Sequence, residues 1–337
     1  MATAKHRIKK ALLILLAFLI GGGLFALLIW RTGPTETYDS LVMFGILPCL
    51  GFITISLTNF VLYSLRWKLI TDDIAPTHKL SLGRFFLHRM SGYAAGYLTP
   101  GSQVAGEPIR VAMLVGDGIS AKEATSSVVL DLAFEISAVV AFIISGIIIA
   151  VSEGLGGTKA VAGAGVFIVV IVLILLAFFW RLAKGDGFFS ALMRLFRFNR
   201  VKKMKGAYEW LVETEGLMSK FFAGKKARLA LIVCLSIVMV SFKAVEAFFI
   251  THFFGVPISF RDGFLLATLP GLALLLPVPG GLGVYEGSNA AVFSMLGLQL
   301  NAVAYTAIIR IRDFVFIMIG VIHAVRRGEK LIVSEPV

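Results

Sequence analysis

Long apolar runs without charge alternate with short polar segments along most of this chain. Residues 11–30, 41–65 and 160–180 contain no charged side chain, and a helix needs about 20 apolar residues to cross the hydrocarbon core of a bilayer. Three further stretches are nearly as apolar, at 122–151, 229–254 and 301–323. The pattern predicts an all-α polytopic membrane protein with six full transmembrane helices, the second of which ends at Arg66-Trp67-Lys68.

Two other apolar segments contain too many helix-breaking residues for ordinary lipid-facing helices. Residues 85–106 include a histidine, an arginine, four glycines and a proline, and residues 263–285 carry no charge but include three prolines. Irregular backbone at membrane depth is tolerated only where protein buries it or where it lines a cavity. We therefore predict two re-entrant helical hairpins, at 81–118 and 259–298, although eight full spans would give a similar pattern.

The two hairpin segments share a motif in which a Pro-Gly pair is followed, after five residues, by glutamate. Its residues are Pro100, Gly101, Gly106 and Glu107 in the first segment and Pro279, Gly280, Gly281, Gly283 and Glu286 in the second. Gly118 and Gly297 then open comparable stretches, each followed after thirteen residues by a charge, Asp131 or Arg310. With six spans, the two hairpins enter from opposite sides, so the motif predicts an inverted repeat, as in many transporters.

The distribution of charge predicts the orientation. The chain is 58% hydrophobic and 15% charged, with a formal net charge of +12. Lysine and arginine collect on the cytoplasmic side of membrane proteins and near anionic lipids, so this charge does not call for nucleic acid as a partner. Basic clusters at 5–10 and 326–327 place both termini in the cytoplasm.

A strongly basic segment at 181–228 contains twelve lysines and arginines against four acidic residues. Within it, apolar residues recur at helical spacing opposite Arg194 and Arg197. This spacing predicts an amphipathic helix on the inner leaflet, with a solvated basic linker as the alternative. No hydrophilic stretch is long enough for a soluble catalytic domain, so we expect a single transmembrane domain over 1–337.

Signals for enzymatic or metal chemistry are missing. The five histidines lie far apart, and Cys49 and Cys234 both lie in apolar runs. Neither a nucleotide-binding glycine loop nor a metalloprotease or hydrolase motif is found. We expect no enzymatic activity, no cofactor and no metal.

Ionisable residues inside spans are costly and are candidates for function. The predicted substrate-binding residues are Glu107, Arg110, Asp131, Glu135, Glu286, Arg310 and Asp313. Arg110 follows a first-turn proline and would suit a phosphate oxygen near a helix N-terminus, or it pairs with Glu107 and only shapes the hairpin. Glu107 and Glu286 can cap backbone amides, pair with Arg110 and Arg310, or take up a proton during transport.

Helical spacing links several of these charges. Asp131 and Glu135 share one helix face, and Arg310 and Asp313 lie one turn apart. Lys243 and Glu246 have that spacing too, which favours a purely structural pair. The positional match between the repeats predicts a central site shared by Asp131 and Arg310.

The motif residues resemble a known family. Pro100-Gly101, Gly106-Glu107-Pro108, Arg110, the stretch 116–131 and the second motif at 279–286 are similar to the lysylphosphatidylglycerol synthase transmembrane family, the flippase-like membrane half of the multiple peptide resistance factor. The resemblance implies lipid translocation or handling in a bacterial or archaeal cytoplasmic membrane. Bifunctional members carry a soluble aminoacyl-transferring domain after the membrane part. This chain stops at Val337, so we expect no lipid aminoacylation.

Three functions are therefore open. The leading hypothesis is a lipid flippase-like transporter without its own ATPase, whose partner is a lipid with an anionic or phosphate-bearing head group and for which a homodimer is one option. The second is a non-transporting scaffold or accessory protein that holds a lipid or a lipid-modifying enzyme through its basic segment. The third is a carrier for an ion or a small solute.

Overall fold

Twelve α-helices account for most of the residues that the structure describes. This structure is a computed structural model, and it describes Trp30 and residues 34–98, 106–155, 158–224, 226–271 and 284–333. The helices are α1 (Pro34–Phe44), α2 (Ile46–Ile74), α3 (Leu82–Leu98), α4 (Glu107–Val115), α5 (Ala121–Ser152), α6 (Thr158–Ala183), α7 (Phe189–Leu195), α8 (Lys205–Ala223), α9 (Lys226–Phe253), α10 (Phe260–Thr268), α11 (Val284–Leu296) and α12 (Ala302–Val333). These ranges contain no strand, which agrees with an all-α membrane protein.

Three helices among the described residues are long and apolar enough to cross a membrane. They are α2, α5 and α9, with 29, 32 and 28 residues, and at 1.5 Å per residue each exceeds a hydrocarbon core of about 30 Å. Helix α6 has 26 residues, and α12 has 32 but contains three charges in its first half. The first predicted span lies outside the described residues except for Trp30, so the count of six stays a prediction.

Helix α2 extends beyond the predicted end of the second span. Helix α2 continues past Arg66 and Trp67 to Ile74, and both of these side chains are fully buried. The Trp67 ring packs edge-on against Phe85 at 4.9 Å, and its Nε1 lies 3.4 Å from the Ser127 hydroxyl. Arg66 and Trp67 therefore form buried contacts between helices, and the end of the span within α2 stays a prediction.

Each predicted hairpin segment contains two helices separated by residues outside the described ranges. Those residues are 99–105 and 272–283, and they include most of both motifs, namely Pro100, Gly101, Pro279, Gly280, Gly281 and Gly283. Helices α4 and α10 have nine residues each, which corresponds to about 14 Å and is less than half of the bilayer core. Neither helix can cross a membrane alone.

Helices α3 and α4 fold back on one another through two glycines. A Cβ atom on Gly106 would overlap the backbone carbonyl of Gly92, and a Cβ on Gly92 would lie 2.6 Å from Cγ of Arg110. Only glycine permits such an approach of two backbones. The start of α4 is therefore fixed against the middle of α3.

The helix bounds extend the internal repeat over four consecutive helices. A shift of 179 residues in the numbering brings Glu107 onto Glu286 and Gly118 onto Gly297. The same shift brings α2, α3, α4 and α5 onto α9, α10, α11 and α12, with starting residues that agree within two positions. The repeat is thus a unit of two long helices that flank a pair of short ones.

Helices α4 and α11, the second short helix of each repeat, end in the same way. Gly118 and Gly297 have φ angles of 93° and 66°. The Gly118 amide donates to the Val115 carbonyl and the Ile119 amide to Leu114, while Gly297 and Leu298 donate to Ser294 and Phe293. These bond pairs form Schellman motifs, which require a left-handed residue after the helix.

Replacing Gly118 or Gly297 by alanine should therefore destabilise the protein by about 1 kcal/mol each, because a Cβ disfavours left-handed backbone. Thermal unfolding in detergent would measure the loss. Gly216→Ala is the matched control, since Gly216 lies inside α8 with open space around it. Equal effects at all three positions would show that φ at the helix ends is not the cause.

The chain divides into two compact units. The first comprises Met1–Val61, Phe86–Arg110 and Ser241–Val337, and the second comprises Leu62–Phe85 and Val111–Val240. The core of the first unit includes Phe44, Phe52, Phe254, Phe293, Tyr305 and Ile308. The second unit has one cluster around Phe134, Phe178, Leu182 and Met218, and another around Trp67, Phe85 and Leu114.

Candidate functional site

Six charged side chains in the first unit form a continuous series of ion pairs. In order they are Glu286, Arg310, Asp313, Arg312, Glu246 and Lys243. Each neighbour has the opposite sign, so three cations face three carboxylates and the series has no net charge. We call these six residues the alternating network; they come from α9, α11 and α12.

Arg310 lies between a carboxylate and two aromatic rings. Its Nε and Nη2 donate to Oε1 of Glu286 at 2.9 and 2.6 Å. Its Nη1 donates to the Tyr97 hydroxyl and lies 3.6 Å from Oδ2 of Asp313. The guanidinium carbon is 5.7 Å from the centre of the Tyr97 ring and 5.8 Å from that of Tyr285, within the range of cation–π attraction.

Arg312 connects two carboxylates of different helices. Its Nε and Nη2 donate to Oδ1 of Asp313 at 3.0 and 2.7 Å. Its Nη1 donates to both oxygens of Glu246 at 3.3 and 3.2 Å. The guanidinium carbon lies 5.6 Å from the Phe52 ring centre and 5.8 Å from that of Phe316. Helix α9 is thereby joined to α12.

Hydroxyl groups from α2 and α3 complete the network. The Ser56 hydroxyl donates to Oε1 of Glu246 at 2.6 Å, and the Tyr93 hydroxyl donates to Oδ1 of Asp313 at 2.8 Å. Tyr93 and Tyr97 lie one turn apart on α3, so they share one face of that helix. Five helices therefore meet at the network.

The side chains of the alternating network differ in exposure. Lys243 has 43% of its side chain exposed, whereas the exposed fractions for Glu246, Arg312, Asp313, Arg310 and Glu286 are 7%, 9%, 5%, 4% and 11%. Buried charges persist when each is paired and hydrogen-bonded, as they are here. Lys243 is therefore the most exposed of the six side chains, and the other five lie largely buried beside oppositely charged partners.

A separate ion cluster lies in the second unit around Arg66. Its Nε donates to Oδ1 of Asp131 at 2.8 Å, and its Nη2 contacts the Asp131 carbonyl at 3.0 Å and Glu135 at 3.2 Å. Its Nη1 donates to the Ser236 hydroxyl at 3.1 Å. One guanidinium thus holds two carboxylates, and these three side chains sum to one negative charge.

Arg110 and Glu107 form an ion pair on the first turn of α4. The Arg110 Nη1 lies 2.7 Å from Oε2 of Glu107, and the arginine side chain is 3% exposed. This is the contact expected if the pair shapes the hairpin. A role of Arg110 in binding phosphate stays a prediction.

The structure brings together some of the predicted residues. Glu286, Arg310 and Asp313 lie in one network, and Asp131 and Glu135 contact one guanidinium. The predicted pair Lys243–Glu246 is confirmed at 3.1 Å. Asp131 pairs with Arg66 and Arg310 with Glu286, and a central site shared by Asp131 and Arg310 stays a prediction.

Several contacts were missed in the sequence. The sequence pattern places Arg66 at the end of a span, and it gives no role to Tyr93, Tyr97 or Ser56. The one-turn spacing of the two tyrosines inside a hairpin segment was an available signal. Arg66 and its partner Asp131 are 65 residues apart, so no local pattern in the sequence reveals their contact. Among the described residues, no group of three or more potential ligands could hold a metal.

The two halves of the repeat carry opposite charges at corresponding places. Under the shift of 179 residues, Arg66 on α2 corresponds within one position to Glu246 on α9, and Asp131 corresponds to Arg310. The first half therefore pairs a cation on its first helix with carboxylates on its last. The second half pairs a carboxylate on its first helix with Arg312 on its last.

Apolar helices of bilayer length, exposed apolar side chains such as Val166 and Leu173, and buried ion pairs between helices define an α-helical membrane protein. The family model for the lysylphosphatidylglycerol synthase TM region matches residues 14–320, and the chain belongs to this family. The UPF0104 membrane protein PH1989 of Pyrococcus horikoshii is 24% identical over 342 residues, which cover 97% of this chain and 99% of that relative. The resemblance found in the motifs is therefore confirmed.

Proposed function

We propose that this protein moves a phosphate-bearing lipid head group across a membrane, and that the alternating network binds that head group. Membership of the lysylphosphatidylglycerol synthase transmembrane family supports a substrate of lipid type. A charged group at the centre of a bilayer is unfavourable by several kcal/mol. Charged partners inside the protein lower that barrier, while the acyl chains remain in lipid.

The surroundings of Glu246 carry the proposal. Its carboxylate accepts from the Ser56 hydroxyl at 2.6 Å, the Lys243 ammonium at 3.1 Å and the Arg312 guanidinium at 3.2 Å. One hydroxyl and two cations are also the donors that bind a phosphate. The carboxylate therefore occupies an anion site that a head group can take over, and Lys243 provides the access.

The repeat supports transport over simple binding. Helices interrupted at corresponding positions of two halves are a recurrent feature of transporters, whose substrate sites lie near them. We place six spans and two re-entrant hairpins in the membrane, because α4 and α10 are too short to cross it. Both termini then lie on the cytoplasmic side of a bacterial or archaeal cell membrane.

Translocation in proteoliposomes tests the proposal. We expect Lys243→Gln to slow the movement of fluorescent phosphatidylglycerol at least about tenfold, which corresponds to about 1.4 kcal/mol. Lys220→Gln is the matched control, since Lys220 is exposed on α8 and lies outside the network. Glu286→Gln should also slow transport, because it weakens the charge that fixes Arg310.

The choice of lipids separates the remaining functions. An aminoacylated phosphatidylglycerol and a glycolipid without phosphate would be compared with phosphatidylglycerol. Preference for the two phosphate lipids supports the proposed site. Normal transport rates in both network variants would show that the network does not take part in transport. If the folded protein moved none of the lipids, the scaffold function would be favoured.

A further inference from the structure

A second candidate surface lies between α6 and α8, in the second unit. From residue 187 to residue 208 there is no acidic side chain. Six exposed cations occupy this stretch, namely Arg194, Arg197, Arg200, Lys202, Lys203 and Lys205. Large apolar side chains are exposed beside them, with 74% for Leu195 and 64% for Phe196, followed by Phe198 and Val201. We call residues 194–205 the basic surface.

The residues just before the basic surface are held by contacts with α6 and α8. Glu215 of α8 is 1% exposed and accepts from the backbone amides of Phe189 at 2.5 Å and Ser190 at 3.1 Å. The Arg181 Nε donates to the Gly187 carbonyl at 2.9 Å. A Cβ on Gly187 would lie 2.5 Å from the carboxyl carbon of Glu215, so glycine is required for this contact.

Only the beginning of α7 is covered. The rings of Phe188 and Phe189 pack against Phe178 of α6 with centroids 5.8 and 6.0 Å apart. Leu195 and Phe196 lie about two turns further along the same face, and both are exposed. The segment is therefore anchored to the helical bundle at its start, while its end leaves apolar and cationic side chains exposed.

The end of α6 indicates what covers the exposed side chains of the basic surface. The Lys184 ammonium lies 4.0 Å from the centre of the Trp180 ring, and Trp180 is 58% exposed. Exposed tryptophan and lysine at the end of an apolar helix are typical of the boundary between lipid and water. The basic surface begins ten residues after Lys184, so it lies close to that boundary in the sequence.

We propose that the basic surface binds anionic phospholipid in the bilayer around the protein. Its apolar side chains enter the region between head groups and acyl chains, while the six cations contact lipid phosphates. A nucleic acid or an acidic protein would match the charge but would leave Leu195 and Phe196 without an apolar environment. This inference does not depend on the alternating network or on transport.

Hydrogen exchange of the full-length protein in nanodiscs tests the inference. We expect amides 194–204 to exchange at least about tenfold more slowly when phosphatidylglycerol is mixed into phosphatidylcholine, because several cations each add to the attraction. Lys202→Gln with Lys203→Gln should abolish most of this slowing. Lys220→Gln with Lys226→Gln is the matched control, since both lysines are exposed outside the basic surface, and it should keep the slowing.

Three results would overturn the inference. Equal exchange with and without phosphatidylglycerol would show that the surface does not recognise anionic lipid. An equal loss in the control pair would assign the effect to net charge alone. Slowing that is the same in both lipids and disappears only in Leu195→Ser with Phe196→Ser would show apolar insertion without head-group recognition. Unfolding temperatures in detergent, expected to be unchanged, confirm that each variant is folded.

Discussion

Replacing Gly106 by alanine should destabilise the first hairpin segment by about 3 kcal/mol, at the upper end for overpacked sites. The new Cβ would overlap the Gly92 carbonyl. Because the overlapped atoms belong to the backbone, no side chain can rotate away to make room. The two helices must then separate, and the contact between Gly92 and Arg110 is disturbed with them. Thermal or denaturant unfolding of the purified protein in detergent measures the loss.

Gly287→Ala provides the control for this experiment. Gly287 lies inside α11, and a Cβ there would meet no atom within 4 Å. Alanine in place of glycine inside a helix stabilises it by roughly 0.5–1 kcal/mol, so the sign of the effect should reverse. An unchanged unfolding temperature for Gly106→Ala would contradict the close approach of α3 and α4.

Replacing Arg66 by methionine should destabilise the second unit by about 3–5 kcal/mol, the usual loss when one member of a buried ion pair is removed. Asp131 is fully buried and Glu135 is 18% exposed, and both contact this guanidinium. The additional variants Asp131→Asn and Glu135→Gln should restore much of the stability, because they remove the charges left behind. Unfolding in detergent compares the single and triple variants.

Arg84→Met is the appropriate comparison. Arg84 pairs with Asp117 at 3.4 Å, but 48% of its side chain is exposed. Removing an exposed ion pair alters stability by about 1 kcal/mol or less. If Arg66→Met were no more damaging than Arg84→Met, the Arg66 cluster would not be a stabilising contact between α2 and α5.

Contacts within one helix could be predicted from the sequence because helical spacing alone determines them. Lys243 with Glu246 and Arg310 with Asp313 are three residues apart, and both pairs are present at 3.1 and 3.6 Å. The repeat was also visible, since Gly118 and Gly297 recur at the same offset and end equivalent helices. These features need no knowledge of how the helices pack.

Contacts between helices could not be predicted in the same way. Tyr93 and Asp313 are 220 residues apart, and Arg312 and Glu246 are 66 residues apart. A single sequence contains no signal that such residues meet. For Trp67 the local pattern points to a different position, because a tryptophan beside two basic residues is typical of a membrane surface. Its burial depends on Phe85 and Ser127, which belong to other helices.

The opposite charges of the two repeats have a consequence for biogenesis. Arg66 is followed by its partner Asp131 only after 65 residues, which take the ribosome about 3–13 s at about 5–20 residues per second. During this interval α2 carries Arg66 without Asp131. An arginine disfavours insertion by up to about 2.5–3.5 kcal/mol, the value at a helix centre, and Arg66 lies between the centre and the end of α2. Helices α9 and α12 each bring both signs of charge one turn apart. We therefore expect α2 to remain at the insertion machinery until α5 has been synthesised, whereas α9 can enter the lipid as soon as its own synthesis is complete.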